Sequence, residues 1–125
     1  MTVASTSTPR PMRRATRPVG TTRLPGGATL EPLCDGTGWV ALRVAGELDV
    51  HDRYAIIDAL TPYVLAGCLR IDLDAHAVTF ADLSALRSLD RVRRFLARDG
   101  GTLTVDGLPR IAAYAWHRLH AGLDT

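Results

Sequence analysis

Two kinds of apolar periodicity alternate along the chain from residue 39 onward, and their order limits the folds that are possible. In three short segments apolar side chains recur at every second residue, as in strands that bury one face. Between and after these segments they recur at intervals of three and four residues, as in helices with one apolar side. The predicted strands cover residues 39–45, 69–74 and 102–106, and the predicted helices begin at Asp52, Asp82 and Pro109. This order predicts a small α/β sheet joined by right-handed crossovers.

The second predicted strand indicates how the layers are arranged. Leu69, Ile71 and Leu73 belong to one face of this strand, whereas Arg70 and Asp72 belong to the other. The apolar face needs a cover of helices, and the polar face can meet water. We therefore predict a single small α/β domain with its helices mainly on one face of the sheet.

Charge is distributed unevenly between the start of the chain and the rest. Residues 1–30 contain five arginines and no acidic residue, whereas residues 31–125 contain ten arginines and thirteen acidic residues. The first segment is rich in threonine, serine, proline and glycine and has no apolar period, which is typical of disorder. We predict a disordered basic tail over 1–30 and a folded domain over 31–125. A basic arm for nucleic acid or anionic lipid and a translation start at Met12 are alternatives for the tail.

Several function classes fit this sequence poorly. The chain has no run of about 18 uncharged apolar residues, so we expect no membrane insertion and a cytoplasmic protein. Cys34 and Cys68 are too few for a disulfide framework and are predicted to be buried thiols. His117 and His120 lack a third metal ligand at a suitable spacing, and there is no nucleophile motif or phosphate-binding glycine loop. We predict that the protein is not an enzyme and has no metal site and no cofactor.

Arginines on the second predicted helix leave one alternative open. Arg87, Arg91, Arg94 and Arg98 follow helical spacing, and such a row can contact phosphates. However, the predicted domain is net acidic and has no interleaved aromatic residues for base stacking. We expect a solvated face or a docking surface for an acidic protein, and no nucleic-acid partner.

Four short motifs occur in the order and at the spacing of a known family. They are GELD at residues 46–49, IDLD at 71–74 with VTFADLSAL at 78–86, RDGG at 98–101, and GLD at 122–124. On these motifs, residues 38–124 resemble the STAS domain of anti-sigma factor antagonists, which is also found in sulphate transporters. The resemblance implies a STAS-like α/β fold with a mixed β-sheet.

The switch residue of this family is replaced here. In regulated members, the serine directly after the aspartate at the start of the second helix is phosphorylated by a partner anti-sigma factor kinase. Asp82 matches that aspartate, but Leu83 follows it and has no hydroxyl, and Ser84 comes next. A phosphate at a helix start adds a charge of about −1.5 to −2 and changes partner affinity. Ser84 is the candidate for a shifted phosphorylation site, and a structural hydroxyl in the first helical turn is the alternative.

Two aspartates follow the first two predicted strands. Asp49 and Asp82 are therefore expected at the same edge of the sheet, where open α/β sheets place their binding sites. The resemblance implies a partner-binding surface at this edge, for which the candidate residues are Asp49, Asp82, Leu83 and Ser84. The alternative is that Asp82 caps a helix and Asp49 forms a turn, and both interpretations can hold together.

The resemblance implies a non-catalytic bacterial regulator. We expect an anti-sigma factor antagonist that binds an anti-sigma factor of the serine protein kinase type, frees a sigma factor and so regulates transcription. A phosphatase is a further expected partner. Because Leu83 lacks the usual switch, constitutive binding to the partner is the hypothesis. The alternative is a non-switching STAS scaffold or a subunit of a lipid-transport ATPase complex.

Overall fold

The computed structural model describes residues 17–121, which form one five-stranded sheet and three α-helices. The strands are β1 (Thr22–Arg23), β2 (Thr29–Gly36), β3 (Trp39–Leu48), β4 (Arg70–Ala81) and β5 (Thr102–Asp106). The helices are α1 (Arg53–Leu65), which follows a 3-10 turn at Val50–Asp52, α2 (Leu83–Ala97) and α3 (Arg110–His120). None of the described helices is long and apolar enough to cross a membrane.

The strands lie side by side in the order in which they occur in the chain. β1, β2 and β3 pair antiparallel, whereas β3, β4 and β5 pair parallel through the crossovers of α1 and α2. The sheet is therefore mixed, and the predicted α/β class is confirmed.

The apolar alternation of the strands decides which face is covered. Val40 and Leu42 in β3 and Ile71 and Leu73 in β4 are buried and join one core with the apolar sides of the three helices. The intervening residues of these strands include Asp72, which lies on the uncovered face. The prediction that helices cover mainly one face is confirmed, because each strand has only one apolar face to bury.

The sheet starts earlier in the chain than the predicted domain boundary. Residues 1–16 of the predicted tail lie outside the described residues, but β1 and the start of β2 fall within 17–30. Leu24, Ala28 and Leu30 are buried in the core. This part of the predicted tail thus belongs to the folded domain. Its local composition is that of a loop, but strand pairing provides hydrogen-bond partners for its backbone N–H and C=O groups.

The two cysteines lie in different environments. Cys68 is buried, as predicted, and burial raises the pKa of its thiol. Cys34 is exposed, which corrects the prediction. The pairing of β2 with β3 shifts register between Pro32 and Cys34, and such an irregularity changes the face to which the following side chains point.

β4 extends well beyond the predicted strand at 69–74 and reaches Ala81. Its additional residues keep pairing with β3, so that Ala81 lies opposite Leu48. The ends of the two parallel strands are thereby brought to one edge of the sheet.

Candidate functional site

The predicted site residues follow the adjacent ends of β3 and β4. The backbone N–H of Asp82 donates a hydrogen bond to the carbonyl of Leu48 at 2.7 Å, one residue before Asp49. Asp49 and Asp82 are thus brought to the same edge, and Leu83 and Ser84 begin the helix that leaves it. We call Asp49, Asp82, Leu83 and Ser84 the edge surface.

Asp49 organises the turn between β3 and α1. Its Oδ1 accepts a hydrogen bond from the backbone N–H of His51 at 2.9 Å, and its own backbone N–H donates to Oδ2 of Asp52 at 2.9 Å. These two contacts form a capping box around the 3-10 turn. About a third of the Asp49 side chain stays exposed (33%), so the carboxylate remains accessible to a partner.

Asp52 has a different role from the predicted one. It makes no side-chain cap bond to α1, and it is fully buried. Its Oδ1 instead accepts the backbone N–H of Gly26 at 2.8 Å. A Cβ at position 26 would lie 2.5 Å from Oδ2 of Asp52, so only glycine fits. The sequence pattern could not reveal this contact, because the two residues are distant in the chain.

Asp82 caps α2 as predicted. Its Oδ2 accepts hydrogen bonds from the backbone N–H of Ser84 at 2.8 Å and from the Ser84 hydroxyl. These bonds stabilise the carboxylate and hold the pKa of Asp82 below its ordinary value. The Ser84 hydroxyl is therefore already engaged inside the first turn of the helix.

Leu83 borders a groove between α2 and α3 that the sequence analysis did not predict. The groove has a volume of about 370 Å³. We call it the α2–α3 groove, and its lining includes Phe80, Leu83, Ile111, Tyr114 and Arg118. A signal was present in the sequence, because Ile111 and Tyr114 fall outside the buried stripe of α3, which consists of Ala112, Trp116 and Leu119.

The four arginines of the row on α2 are exposed, whereas an aspartate on the same helix is not. Asp90 is buried and bonds to Nε of Arg93 at 2.8 Å and to Nε of Arg94 at 3.0 Å. Phe95 on this helix is about half exposed (52%) although it is apolar. It borders a second apolar cleft, between α1 and α2, together with Leu65.

Polar side chains on the uncovered face of the sheet converge on one carboxylate. Asp72 accepts hydrogen bonds from the indole N–H of Trp39 at 2.9 Å and from Nε of Arg70 at 3.0 Å, both at Oδ2. The Thr104 hydroxyl donates to Oδ1 at 2.8 Å. Burial raises the pKa of Asp72, but these hydrogen bonds outweigh it and keep the pKa below the ordinary value. The cluster joins β3, β4 and β5, so we assign it a structural role.

A histidine and an aspartate form a second polar pair on β4. Nδ1 of His76 lies 2.7 Å from Oδ1 of Asp74, which also accepts the backbone N–H of His76 at 3.0 Å. The hydrogen bond to Asp74 raises the pKa of His76, and the bonds from His76 lower the pKa of Asp74. Within residues 17–121, no group of three or more histidine, cysteine, aspartate or glutamate side chains is placed to hold a metal ion.

Comparison with known proteins gives one family and a set of similar folds. The family model described as "Mlab, STAS domain" matches residues 37–122. The unphosphorylated anti-sigma factor antagonist SpoIIAA is 19% identical, with a TM-score of 0.62 over 75% of this chain and 81% of that chain. An anti-sigma factor antagonist from Mycobacterium paratuberculosis is 20% identical, with a TM-score of 0.62 over 82% of this chain and 88% of that chain. At these identities the likeness establishes the fold. The comparison with curated proteins gives no match.

Proposed function

Because this chain belongs to the STAS domain family, we propose that it acts as a non-catalytic anti-sigma factor antagonist in the bacterial cytoplasm. Its partner in this proposal is an anti-sigma factor of the serine protein kinase type, and a phosphatase of the same system is a further partner. Binding would sequester the anti-sigma factor, and the freed sigma factor would then change transcription.

The observation that carries this proposal is the geometry of the edge surface. Two parallel strands end together, and the hydrogen bond from the Asp82 N–H to the Leu48 carbonyl brings the backbones of Asp49 and Asp82 to one edge of the sheet. Leu83 stands beside them and is 37% exposed although it is apolar. An exposed apolar side chain next to accessible carboxylates is suited to protein binding. Two of the similar solved structures are anti-sigma factor antagonists, which supports the same assignment.

The proposed binding is constitutive. Leu83 has no hydroxyl to phosphorylate, and the neighbouring Ser84 hydroxyl donates to the carboxylate of Asp82. A phosphate on Ser84 would break this bond and place two negative groups side by side, which is unfavourable. We therefore assign Ser84 to the helix cap and Leu83 to an apolar contact with the partner.

A second candidate is a non-switching STAS subunit, such as the small partner of a lipid-transport ATPase. The observation that favours it is again Leu83, because a subunit held permanently in a complex needs no phosphorylation switch. The two candidates differ in the partner that they bind.

The test is direct binding with purified partners. Each serine-kinase-type anti-sigma factor encoded by the native host is titrated against the full chain and against Leu83→Glu. The matched control is Leu33→Glu, because Leu33 is similarly exposed at 41% but lies on β2. We expect one anti-sigma factor to bind the parent chain and the control, and to bind Leu83→Glu at least about tenfold more weakly. Equal binding by Leu83→Glu and the parent would overturn the role of the edge surface.

A kinase assay extends the same experiment. We expect ATP and the bound anti-sigma factor to phosphorylate Leu83→Ser but not the parent chain. Phosphorylation of the parent at Ser84 would contradict constitutive binding. Binding to a transport ATPase, with no anti-sigma factor bound, would select the second candidate.

A further inference from the structure

The α2–α3 groove is an apolar surface that the fold leaves open. Ile111 and Tyr114 on α3 are 85% and 64% exposed, and Phe80 at the end of β4 is 49% exposed. With Leu83 they place four large apolar side chains around one depression. Contiguous exposed apolar surface of this kind marks interaction sites in soluble proteins.

The groove is continuous with the edge surface. Leu83 belongs to both, and Asp82 lines the groove as well as capping α2. A protein that covers Leu83 would therefore also reach the exposed side of α3. The same partner can bury both regions in one interface.

One cation gives the groove a definite charge preference. Arg118 lines the groove, and its guanidinium lies 5.7 Å from the ring centre of Tyr114 and donates to the Tyr114 hydroxyl at 3.3 Å. Among the described residues no carboxylate lies within ion-pair distance of Arg118. The Tyr114 contact orients the guanidinium, and an incoming carboxylate can pair with it.

We propose that the α2–α3 groove receives an apolar side chain of the anti-sigma factor, with a neighbouring carboxylate of that partner paired to Arg118. The inference rests on the proposed function and adds the segment of the partner that is recognised. Ile111 and Tyr114 provide the apolar contact. Arg118 selects an acidic neighbour over a basic one, because its guanidinium would repel a basic group.

Binding measurements with substitutions in the groove test this inference. The probe is the set of purified serine-kinase-type anti-sigma factors of the native host, titrated against the full chain. Ile111→Asp and Tyr114→Ala are each expected to weaken binding by about tenfold or more. Phe95→Asp is the matched control, because Phe95 is comparably exposed but lies at the α1–α2 cleft. Circular dichroism confirms that each variant is folded.

The salt dependence of the affinity tests the charge preference of the groove. The affinity of the parent chain is expected to fall with added salt, and Arg118→Ala is expected to reduce this salt dependence while Arg98→Ala leaves it unchanged. An equal salt dependence in the parent and in Arg118→Ala would overturn the carboxylate pairing.

The outcomes separate this inference from the proposed function. Binding that is weakened by Leu83→Glu but not by Ile111→Asp or Tyr114→Ala overturns the groove and leaves the proposed function intact. Binding that is weakened equally by Phe95→Asp overturns the assignment of the groove in favour of a contact along both clefts. Failure of every anti-sigma factor to bind the parent chain overturns the proposed function and this inference together.

Discussion

The carboxylate of Asp52 accepts the backbone N–H of Gly26 at 2.8 Å, across 26 residues of sequence. Its other oxygen accepts the backbone N–H of Asp49. Because Asp52 is fully buried, water does not compete for these bonds. One side chain thus fixes both the loop before β2 and the turn that carries Asp49 into the edge surface.

Replacing Asp52 is expected to destabilise the domain strongly. Asp52→Ala leaves two backbone N–H groups without their buried acceptor, and we expect the free energy of unfolding to fall by about 3 kcal/mol. The measurement is urea denaturation followed by circular dichroism. The control is Asp58→Ala on α1, an exposed position where we expect a change within about 0.5 kcal/mol. Similar losses in the two variants would contradict the role of Asp52.

The Ser84 hydroxyl is expected to lower the pKa of Asp82. Because Asp82 has a lowered pKa in the folded state, its contribution to stability is complete above the unfolded pKa and is lost as pH falls through the folded pKa. Ser84→Ala removes one donor, so the pKa of Asp82 should rise and the acid-induced loss should begin at higher pH.

Carbon-detected NMR titration of the Asp82 carboxyl group measures this pKa directly. Ser84→Thr retains a hydroxyl and is expected to titrate like the parent chain. An unchanged pKa in Ser84→Ala would show that the hydroxyl bond does not stabilise the carboxylate.

Removal of the Asp72 carboxylate is expected to loosen the uncovered face of the sheet. Asp72→Ala deprives Trp39 and Thr104 of their acceptor, and we expect a loss of about 1 kcal/mol, since this site is partly open to solvent. The indole N–H resonance of Trp39 should shift toward that of a solvated indole. Asp99→Ala in the exposed turn after α2 is the control. An unshifted Trp39 resonance in Asp72→Ala would rule out the hydrogen bond.

The pair of His76 and Asp74 is expected to make stability depend on pH near neutrality. The pKa of His76 is raised in the folded state, so its contribution is fully present below the ordinary histidine pKa of about 6.5 and is lost as pH rises through the folded pKa. Asp106 adds to the raised pKa, but the bond to Asp74 is the larger cause.

Proton NMR titration of His76 tests this pair. In Asp74→Asn its pKa should fall toward the ordinary value, and the difference in stability between parent and variant should shrink as pH rises. Asp99→Asn removes one negative charge at a distant turn, and the pKa of His76 should stay the same as in the parent chain. A His76 titration that is insensitive to Asp74→Asn would contradict the prediction.

Local periodicity was sufficient to predict most of the fold from residue 39 onward. In α2, the helical spacing of Leu86, Leu89, Val92 and Leu96 matches the buried side of the helix, and Asp82 caps it as expected. In these elements local preference and tertiary burial point to the same structure. Phe95 departs from the pattern because it lies at the margin of the buried stripe, where an apolar residue can border a cleft instead of the core.

The segment before residue 31 was predicted poorly because its local sequence preference and its tertiary contacts disagree. β1 has only two residues, and the sequence Pro25, Gly26 and Gly27 that follows it is typical of a turn or loop. What orders this segment is its pairing with β2 and the Asp52 carboxylate, both of which are supplied by other parts of the chain. Contacts of this kind have no local signature.

The candidate site was predictable only in part. That Asp49 and Asp82 would be neighbours followed from the parallel order of the strands. The apolar surface of α3 was not predicted, because helical spacing locates a helix but does not by itself show which of its apolar residues stay outside the core. Ile111 and Tyr114 lie off the line of Trp116 and Leu119, and that offset identifies them as surface residues.

The hydrogen bond between Asp82 and Leu48 has a consequence for the proposed binding of a partner. The backbone beneath the edge surface is fixed by sheet pairing during folding, so association does not have to order it. In the proposed complex, little conformational entropy would be lost on binding, and association would require no rearrangement of the main chain. Changes in affinity during evolution should therefore arise from side chains at positions such as 83, 111 and 114, which can be exchanged without disturbing the sheet that supports them.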